Sequence, residues 1–267
     1  EPIPFYAEMS SINPVFILPG AMAARAEQLA AGLHGSMTLG AGQFCTNPGL
    51  TILDSSADIE PFVAKLAELV GGSPGATMLN PGISAAYDSG AGALGGNDAV
   101  EAVALGQTGD GQCQAGAALF RTSAEAFLSD ESLSAELFGP STLVVTHDGT
   151  DKMLALARSL EGQLTATVHG TDADLEANCE LLEVLETKVG RVLINGFPTG
   201  VEVCHAMVHG GPFPATSDGR STSVGTRAIH RFTRLVCYQG FPDALLPAEL
   251  REGNPLGIRR LVDGKSN

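Results

Sequence analysis

The sequence predicts an α/β protein with a mostly parallel sheet flanked by helices. Short apolar runs that end at Gly, Pro or Asn read as buried strands. Between them lie longer stretches with helical spacing, and alternation of this kind implies crossovers and parallel neighbours. Hydrophobic residues make up 44% of the chain and charged residues 17%, a globular composition.

Taken in order, Pro14-Val15-Phe16-Ile17-Leu18 stops at Pro19-Gly20 and reads as the first strand. Ala21 to Leu33 follows as a helix rich in Ala, Arg, Glu and Gln. Leu50 to Leu53 is a second strand, and Asp58 to Val70 spaces Ile59, Phe62, Val63, Leu66 and Leu69 as one helical face. Gln114 to Phe120 and Thr142 to Val145 read as strands, with a helix at Lys152 to Leu160. Leu164 to Val168 precedes a long helix at Ala173 to Lys188, and Arg191 to Ile194 is a further strand. From Asn195 to Ser223 the chain is irregular, and so long a segment is usually functional. A short helix near Ala228 leads to a final strand, Leu235 to Gln239, and a surface tail from Pro242. There is no internal repeat and no low-complexity linker.

The 267 residues suffice for a full core. A net charge of −15 disfavours nucleic acid and anionic membrane surfaces as partners. No apolar run reaches the roughly 18 residues of a membrane helix. Five widely spaced cysteines without a CxxC pair argue against a disulfide framework or a structural zinc, and suit reduced thiols in the cytoplasm. Glu-Pro-Ile-Pro is an unusual natural beginning, so the start is expected to be processed, truncated or excised.

Cys45 lies in Leu-Gly-Ala-Gly-Gln-Phe-Cys-Thr-Asn-Pro-Gly, behind small residues and ahead of a turn. Such a setting displays a thiol beside free backbone N–H groups, which would receive the oxyanion of an attacked aldehyde. A small buried hydrophobe is the plainer reading of a lone cysteine. Glu8, 37 residues upstream, stands among apolar and small residues where desolvation would make it a general base; an ordinary surface carboxylate is the alternative. Both flank the first strand–helix unit, so the topology can bring them together. Gly90-Ala-Gly-Ala-Leu-Gly95 matches GxGxxG, but no strand feeds it, and it reads as a glycine-rich break between two helices. His205 and His209 lack acidic or thiol partners at a metal-binding spacing and read as loop or core-edge histidines; no metal is expected. Glu136, just before Leu-Phe-Gly-Pro, could be held at the mouth of the sheet.

Four blocks in order resemble the aldehyde dehydrogenase superfamily across nearly the whole chain. Ala7 to Pro14 is similar to its Glu-Leu-Gly-Gly-Lys-x-Pro block, Gly42 to Thr46 to its cysteine block, Glu136 to Pro140 to its Glu-Ile/Val-Phe-Gly-Pro block, and Asn195-Gly196-Phe197 to the opening of its substrate-side loop. Met9 to Asn13 departs from the Leu-Gly-Gly-Lys run. That departure, the segments Phe197–Val203 and His209–Pro212, and the ending Cys237-Tyr-Gln…Leu-Leu-Pro247 are similar to the 2-oxoglutarate semialdehyde (2,5-dioxopentanoate) dehydrogenases.

The resemblance implies oxidation of a small aldehyde by NAD or NADP. Cys45 would be the nucleophile, forming a thiohemiacetal and then a thioester, and Glu8 would activate the hydrolytic water. Glu136 would hold the nicotinamide ribose, with Phe138 packing near the cofactor. Phe197, Val203, Cys204 and His205 are pocket candidates by loop position. It further implies a catalytic domain over residues 1–230, an oligomerisation-arm strand and tail over 231–267, and a homo-oligomer in the full-length form. The family's cofactor domain precedes the Glu block and is absent from these 267 residues, so dehydrogenase activity is not expected of the chain alone. The alternatives are a cofactor-independent thiol esterase, and a truncated, non-catalytic domain that only oligomerises.

Overall fold

The computed structural model describes residues 2–266. Its elements run β1 (Val15–Ile17), α1 (Pro19–Thr38), β2 (Leu50–Asp54), α2 (Glu60–Gly71), β3 (Ala76–Thr77), α3 (Pro81–Gly95), β4 (Glu101–Leu105), β5 (Gln114–Ala115) and β6 (Ala118–Ser123). There follow α4 (Ala124–Ser129), β7 (Ser141–His147), α5 (Thr150–Ser159), β8 (Gln163–His169), α6 (Asp172–Ala177), α7 (Cys179–Glu186) and β9 (Val189–Ile194). Seven strands form one sheet in the order β4-β6-β7-β2-β1-β8-β9. Every neighbour is parallel except the edge pair β4–β6.

Both faces of this sheet are covered, which is why its strands read as continuous apolar runs. In β1, Val15 and Ile17 pack with Leu33 of α1 and Phe62 and Leu66 of α2. Phe16 points the other way, toward Leu156 of α5 and Leu181 of α7. Each such side chain contributes about 1.5–3 kcal/mol on full burial. The face of α2 follows its spacing, burying Phe62, Val63, Leu66 and Val70.

Several elements differ from expectation. β4 is a strand that its Glu-Ala-Val-Ala-Leu sequence does not announce. It is a half-exposed edge with a register shift between Ala102 and Ala104, so it needs no apolar run. The glycines of GxGxxG lie within α3 rather than in a break between helices. Asn80 caps that helix by accepting the Ile83 N–H at 3.0 Å, and Gly90 is used for close approach, since a Cβ there would lie 2.7 Å from Leu137. The stretch 173–188 is two helices, α6 and α7, because Asn178 leaves helical geometry at φ −121°, ψ 36°. Leu235 to Gln239 is not a strand: it has no ladder partner among the described residues, and Leu235 is fully exposed. A strand needs a neighbour for its N–H and C=O groups.

The chain divides into two units, Glu1–Arg231 and Phe232–Asn267. The first holds the sheet. The second carries a short antiparallel pair, β10 (Leu261–Val262) and β11 (Lys265–Ser266). Among the described residues no helix is long and apolar enough to cross a membrane.

α1 aims the chain at the Cys45 turn, and its start is fixed from across the sheet. The Asp174 carboxylate accepts the N–H groups of Gly20 and Ala21, both at 3.0 Å. Partial burial opposes the charge, but hydrogen bonds from Thr171, Gly20 and Ala21 outweigh it and hold the carboxyl below its usual range. Asp174→Ala is expected to lower stability by about 1–2 kcal/mol, as for other helix caps. Because the folded value is depressed, this contribution is complete above the unfolded value of about 3.9 and is lost as pH falls through the folded one. Urea unfolding of both proteins at neutral and acidic pH checks it.

Candidate active site

The segments entering β1, β2, β7 and β8 meet at the amino ends of the parallel strands. Open α/β sheets more often place ligands at the carboxyl ends. What gathers the segments here is polar. Gln163, at the start of β8, accepts from Ile12 N–H at 2.7 Å and from Ser11 Oγ at 3.1 Å. Asn13 is fully buried with a positive φ of 46°, a conformation asparagine tolerates. Its Nδ2 donates to the Cys45 and Asn47 carbonyls, both at 2.9 Å, and its Oδ1 accepts from Ser11 Oγ and from Thr165 Oγ1 at 3.0 Å.

The Cys45 turn leaves α1 through Leu39–Gly42, where Gly40, Ala41 and Gly42 are all left-handed. Gly42 is required by space as well as by φ: a Cβ would lie 2.2 Å from the Gly139 backbone. Asn47 adds a bond from Nδ2 to Gly139 O at 3.1 Å. The cysteine turn and the Phe138-Gly139-Pro140 turn therefore touch backbone to backbone.

Glu8 is held by the far end of the chain's irregular segment. Glu8 bridges Thr216 in antiparallel fashion, Met9 N–H donates to Ala215 O at 2.8 Å, and Ser217 N–H donates to Ala7 O at 3.0 Å. The same segment carries His209, whose N–H donates to Thr222 Oγ1 at 2.8 Å. Gly210 and Gly211 lie flat on the starts of β9 and β8, where a Cβ on Gly190 would meet Gly210 O at 1.9 Å.

The result is a compact trio. His209 Nε2 lies 3.0 Å from Cys45 Sγ and 3.5 Å from Glu8 Oε2. Cys45 is reachable from solvent, but its sulfur is partly enclosed. Burial first, then the Glu8 charge, push its thiol above the usual range; the N–H groups of Cys45 and Thr46 and the Arg191 guanidinium oppose this. Burial likewise lowers His209, helped by Arg191 and Arg231 and opposed by Glu8. A thiol, a carboxylate and an imidazole in contact beside backbone N–H groups can carry out acyl transfer.

The ligand atoms of Glu8, Cys45 and His209 also lie within 4.8 Å of one another, close enough to suggest a metal. Coordination through Nε2 would place the imidazole proton on Nδ1, which is buried and unpartnered among the described residues. Metal-bound histidines normally have a partner there, so the trio fits a resident metal poorly.

Glu136 and Phe138 line a cleft with Ser11, Asn47, Gly90 and Leu94. Burial raises the Glu136 carboxyl above its usual range, against hydrogen bonds from Ser10 and from the Ser11 N–H. Asn47 Oδ1 in the wall is buried and unpartnered, an acceptor aimed at no protein donor among the described residues. A ligand bearing hydroxyl or amide donors suits these two acceptors and the Phe138 ring.

The four loop candidates are scattered. Phe197 lies against α1 at Gly32 and on the His169 ring, with centroids 4.6 Å apart. Val203 is 76% exposed, Cys204 is half-buried, and His205 bonds Thr226 Oγ1 at 3.3 Å. Arg191 ties their loop down, donating to Pro198 O at 2.7 Å and Gly200 O at 3.3 Å. Sequence reasoning missed Asn13, Asn47 and Arg191. It also set His209 aside for want of acidic or thiol partners, which the fold supplies from 164 residues away in the case of Cys45. A polar Asn immediately before an apolar strand was the one available signal for Asn13.

A family model described as "Aldehyde dehydrogenase family" matches residues 3–235. The chain belongs to the aldehyde dehydrogenase family. It is 51% identical over 266 residues to alpha-ketoglutaric semialdehyde dehydrogenase 2 of Azospirillum brasilense, covering 100% of this chain and 51% of that one. It is 48% identical to the alpha-ketoglutaric semialdehyde dehydrogenase of Acinetobacter baylyi, covering 99% of this chain and 50% of that one. The chain thus spans about half the length of the curated relatives it matches. An indole-3-acetaldehyde dehydrogenase structure in complex with NAD+ superposes with a TM-score of 0.70 at 18% identity, over 86% of this chain and 46% of that one, which shows the aldehyde dehydrogenase fold.

Asn13→Ala is expected to lower stability by about 2–4 kcal/mol, since it strands several buried carbonyl and hydroxyl groups. Asn13→Asp should be as damaging, because it turns two donors into an acceptor facing carbonyls. Denaturant midpoints measure both, and a change below about 1 kcal/mol in either would refute the clamp.

Proposed function

We propose that this chain is the catalytic part of an NAD(P)-dependent aldehyde dehydrogenase whose substrate is 2-oxoglutarate semialdehyde. The observation that carries the chemistry is the contact of Glu8 and Cys45 with one imidazole, at a turn whose Cys45 and Thr46 N–H groups face the sulfur. The substrate is taken from the printed names of the two curated relatives.

In this reading the Cys45 sulfur attacks the aldehyde carbon and forms a C–S bond. The oxyanion is received by backbone N–H groups of the cysteine turn. NAD(P)+, held by Glu136 and Phe138, would supply the hydride acceptor that turns the thiohemiacetal into a thioester. Glu8 takes a proton from water, the hydroxide adds to the thioester, and the C–S bond breaks to release carboxylic acid and regenerate the thiolate. Residues 231–267 would serve as the oligomerisation-arm segment and tail of a homo-oligomer, a boundary one residue before the division between the two compact units at Arg231/Phe232. Five free cysteines accord with a cytoplasmic setting.

A cofactor-independent thiol esterase is the second reading, favoured by the His209–Cys45 contact at 3.0 Å. An aldehyde assay on the full-length protein separates the two: NAD(P)H formation supports the dehydrogenase, and ester hydrolysis without it supports the esterase.

The chain alone is expected to hydrolyse the ester and to form no NADH or NADPH from an aldehyde. Turnover near that of an intact dehydrogenase would overturn the division of labour. Cys45→Ala should reduce ester hydrolysis to background, and hydrolysis surviving it removes Cys45 from the scheme. Glu8→Gln should slow deacylation by about 10²–10⁴-fold, so that the acyl-enzyme accumulates as a burst. The same variant should alkylate Cys45 faster at neutral pH, because removing the neighbouring negative charge lowers the thiol.

A further inference from the structure

His209 is the titratable group of the trio that the acyl-transfer scheme leaves unused. Its ring is buried, with Nε2 turned to Cys45 Sγ at 3.0 Å and to Glu8 Oε2 at 3.5 Å. Nδ1 is buried and has no hydrogen-bond partner among the described residues. A neutral imidazole carries one proton, on one nitrogen or the other. On Nδ1 that proton would be a buried donor with nothing to meet, whereas on Nε2 it faces two groups that become anions. The charged groups around the ring are Glu8 and Cys45 on the site side, Arg191 from β9, and Arg231 from the turn Thr226–Phe232. Burial and the two guanidinium groups keep the ring neutral against the pull of Glu8.

We propose that His209 is a positioning residue that donates its single Nε2 proton to the Cys45 thiolate, and then to the Glu8 carboxylate once the sulfur is acylated. The two acceptors need the donor at different steps. Before attack the sulfur is the anion, and the N–H stabilises it and fixes its direction. After acylation the thioester sulfur is a poor acceptor, and the same N–H holds Glu8 beside the carbonyl that water must reach. The inference rests on reading Cys45 as the nucleophile and Glu8 as the base.

Alkylation of Cys45 by iodoacetamide, followed by peptide mass mapping across neutral and alkaline pH, tests it without passing through turnover. His209→Phe keeps a ring and removes the donor. It is expected to raise the apparent thiol pKa by about one unit and slow alkylation at neutral pH roughly tenfold. His209→Gln keeps an N–H at similar reach and should restore the rate to within about threefold of the original. Unchanged alkylation in His209→Phe overturns the proposal. So does a His209→Gln protein as slow as His209→Phe, which would make the ring a proton acceptor instead. Nitrogen NMR of the unmodified imidazole keeps the question open to refutation even if a variant fails to fold: a proton on Nε2 supports the assignment and a proton on Nδ1 refutes it. Ester hydrolysis that survives Cys45→Ala sinks the acyl-transfer reading and with it the later transfer of the N–H to Glu8, whereas slow alkylation confined to His209→Phe tests the contact with the thiolate by itself, so the two failures are distinguishable.

Discussion

The site depends on one buried amide. Asn13 sits in a left-handed conformation at the entrance to β1, with its side chain shared among Ser11, Thr165 and the carbonyls of Cys45 and Asn47. A planar carboxamide offers two donors and an acceptor in fixed directions, and no other short side chain can match that set. The cysteine turn is therefore hung from the lead-in to β1, and that lead-in is in turn fastened to Gln163 of β8. Glu8 lies a few residues upstream on the same strip. The Cys45 thiol and the Glu8 carboxylate are brought together by hydrogen bonds among segments that apolar packing alone would not register.

The electrostatics at Cys45 favour the protonated thiol. Enclosure and the Glu8 carboxylate both disfavour the Cys45 thiolate, and the opposing help comes from two N–H groups and a guanidinium. A thiol kept largely protonated resists alkylation and oxidation, because the thiolate is the reactive form.

Much of the sheet was legible because strands buried on both faces leave unbroken apolar runs, as in Val15–Ile17 and Leu143-Val144-Val145. The half-exposed edge Glu101–Leu105 leaves no such trace. The glycines of α3 were misread because glycine weakens a helix; Gly90 is explained by the close approach of Leu137, whereas nothing lies near a Cβ at Gly92. In the site, the residue types and order of the Glu8, Cys45 and Glu136 blocks identified the family. His209 was invisible for a physical reason: its partners are assembled by the sheet, and nothing in the spacing of a loop histidine reports what lies across the fold. The same holds for Asn47 and Arg191, whose roles are bonds to backbone carbonyls at distant turns.

Gly42 and Gly139 meet with no side chain between them, and Asn47 pins the same contact from the other side. Side chains act as soft padding in most loop–loop contacts, since a rotamer change absorbs small displacements. Here that padding is missing. The turn bearing the thiol and the turn bearing Phe138 are joined backbone to backbone, so a substitution that displaces one is expected to displace the other.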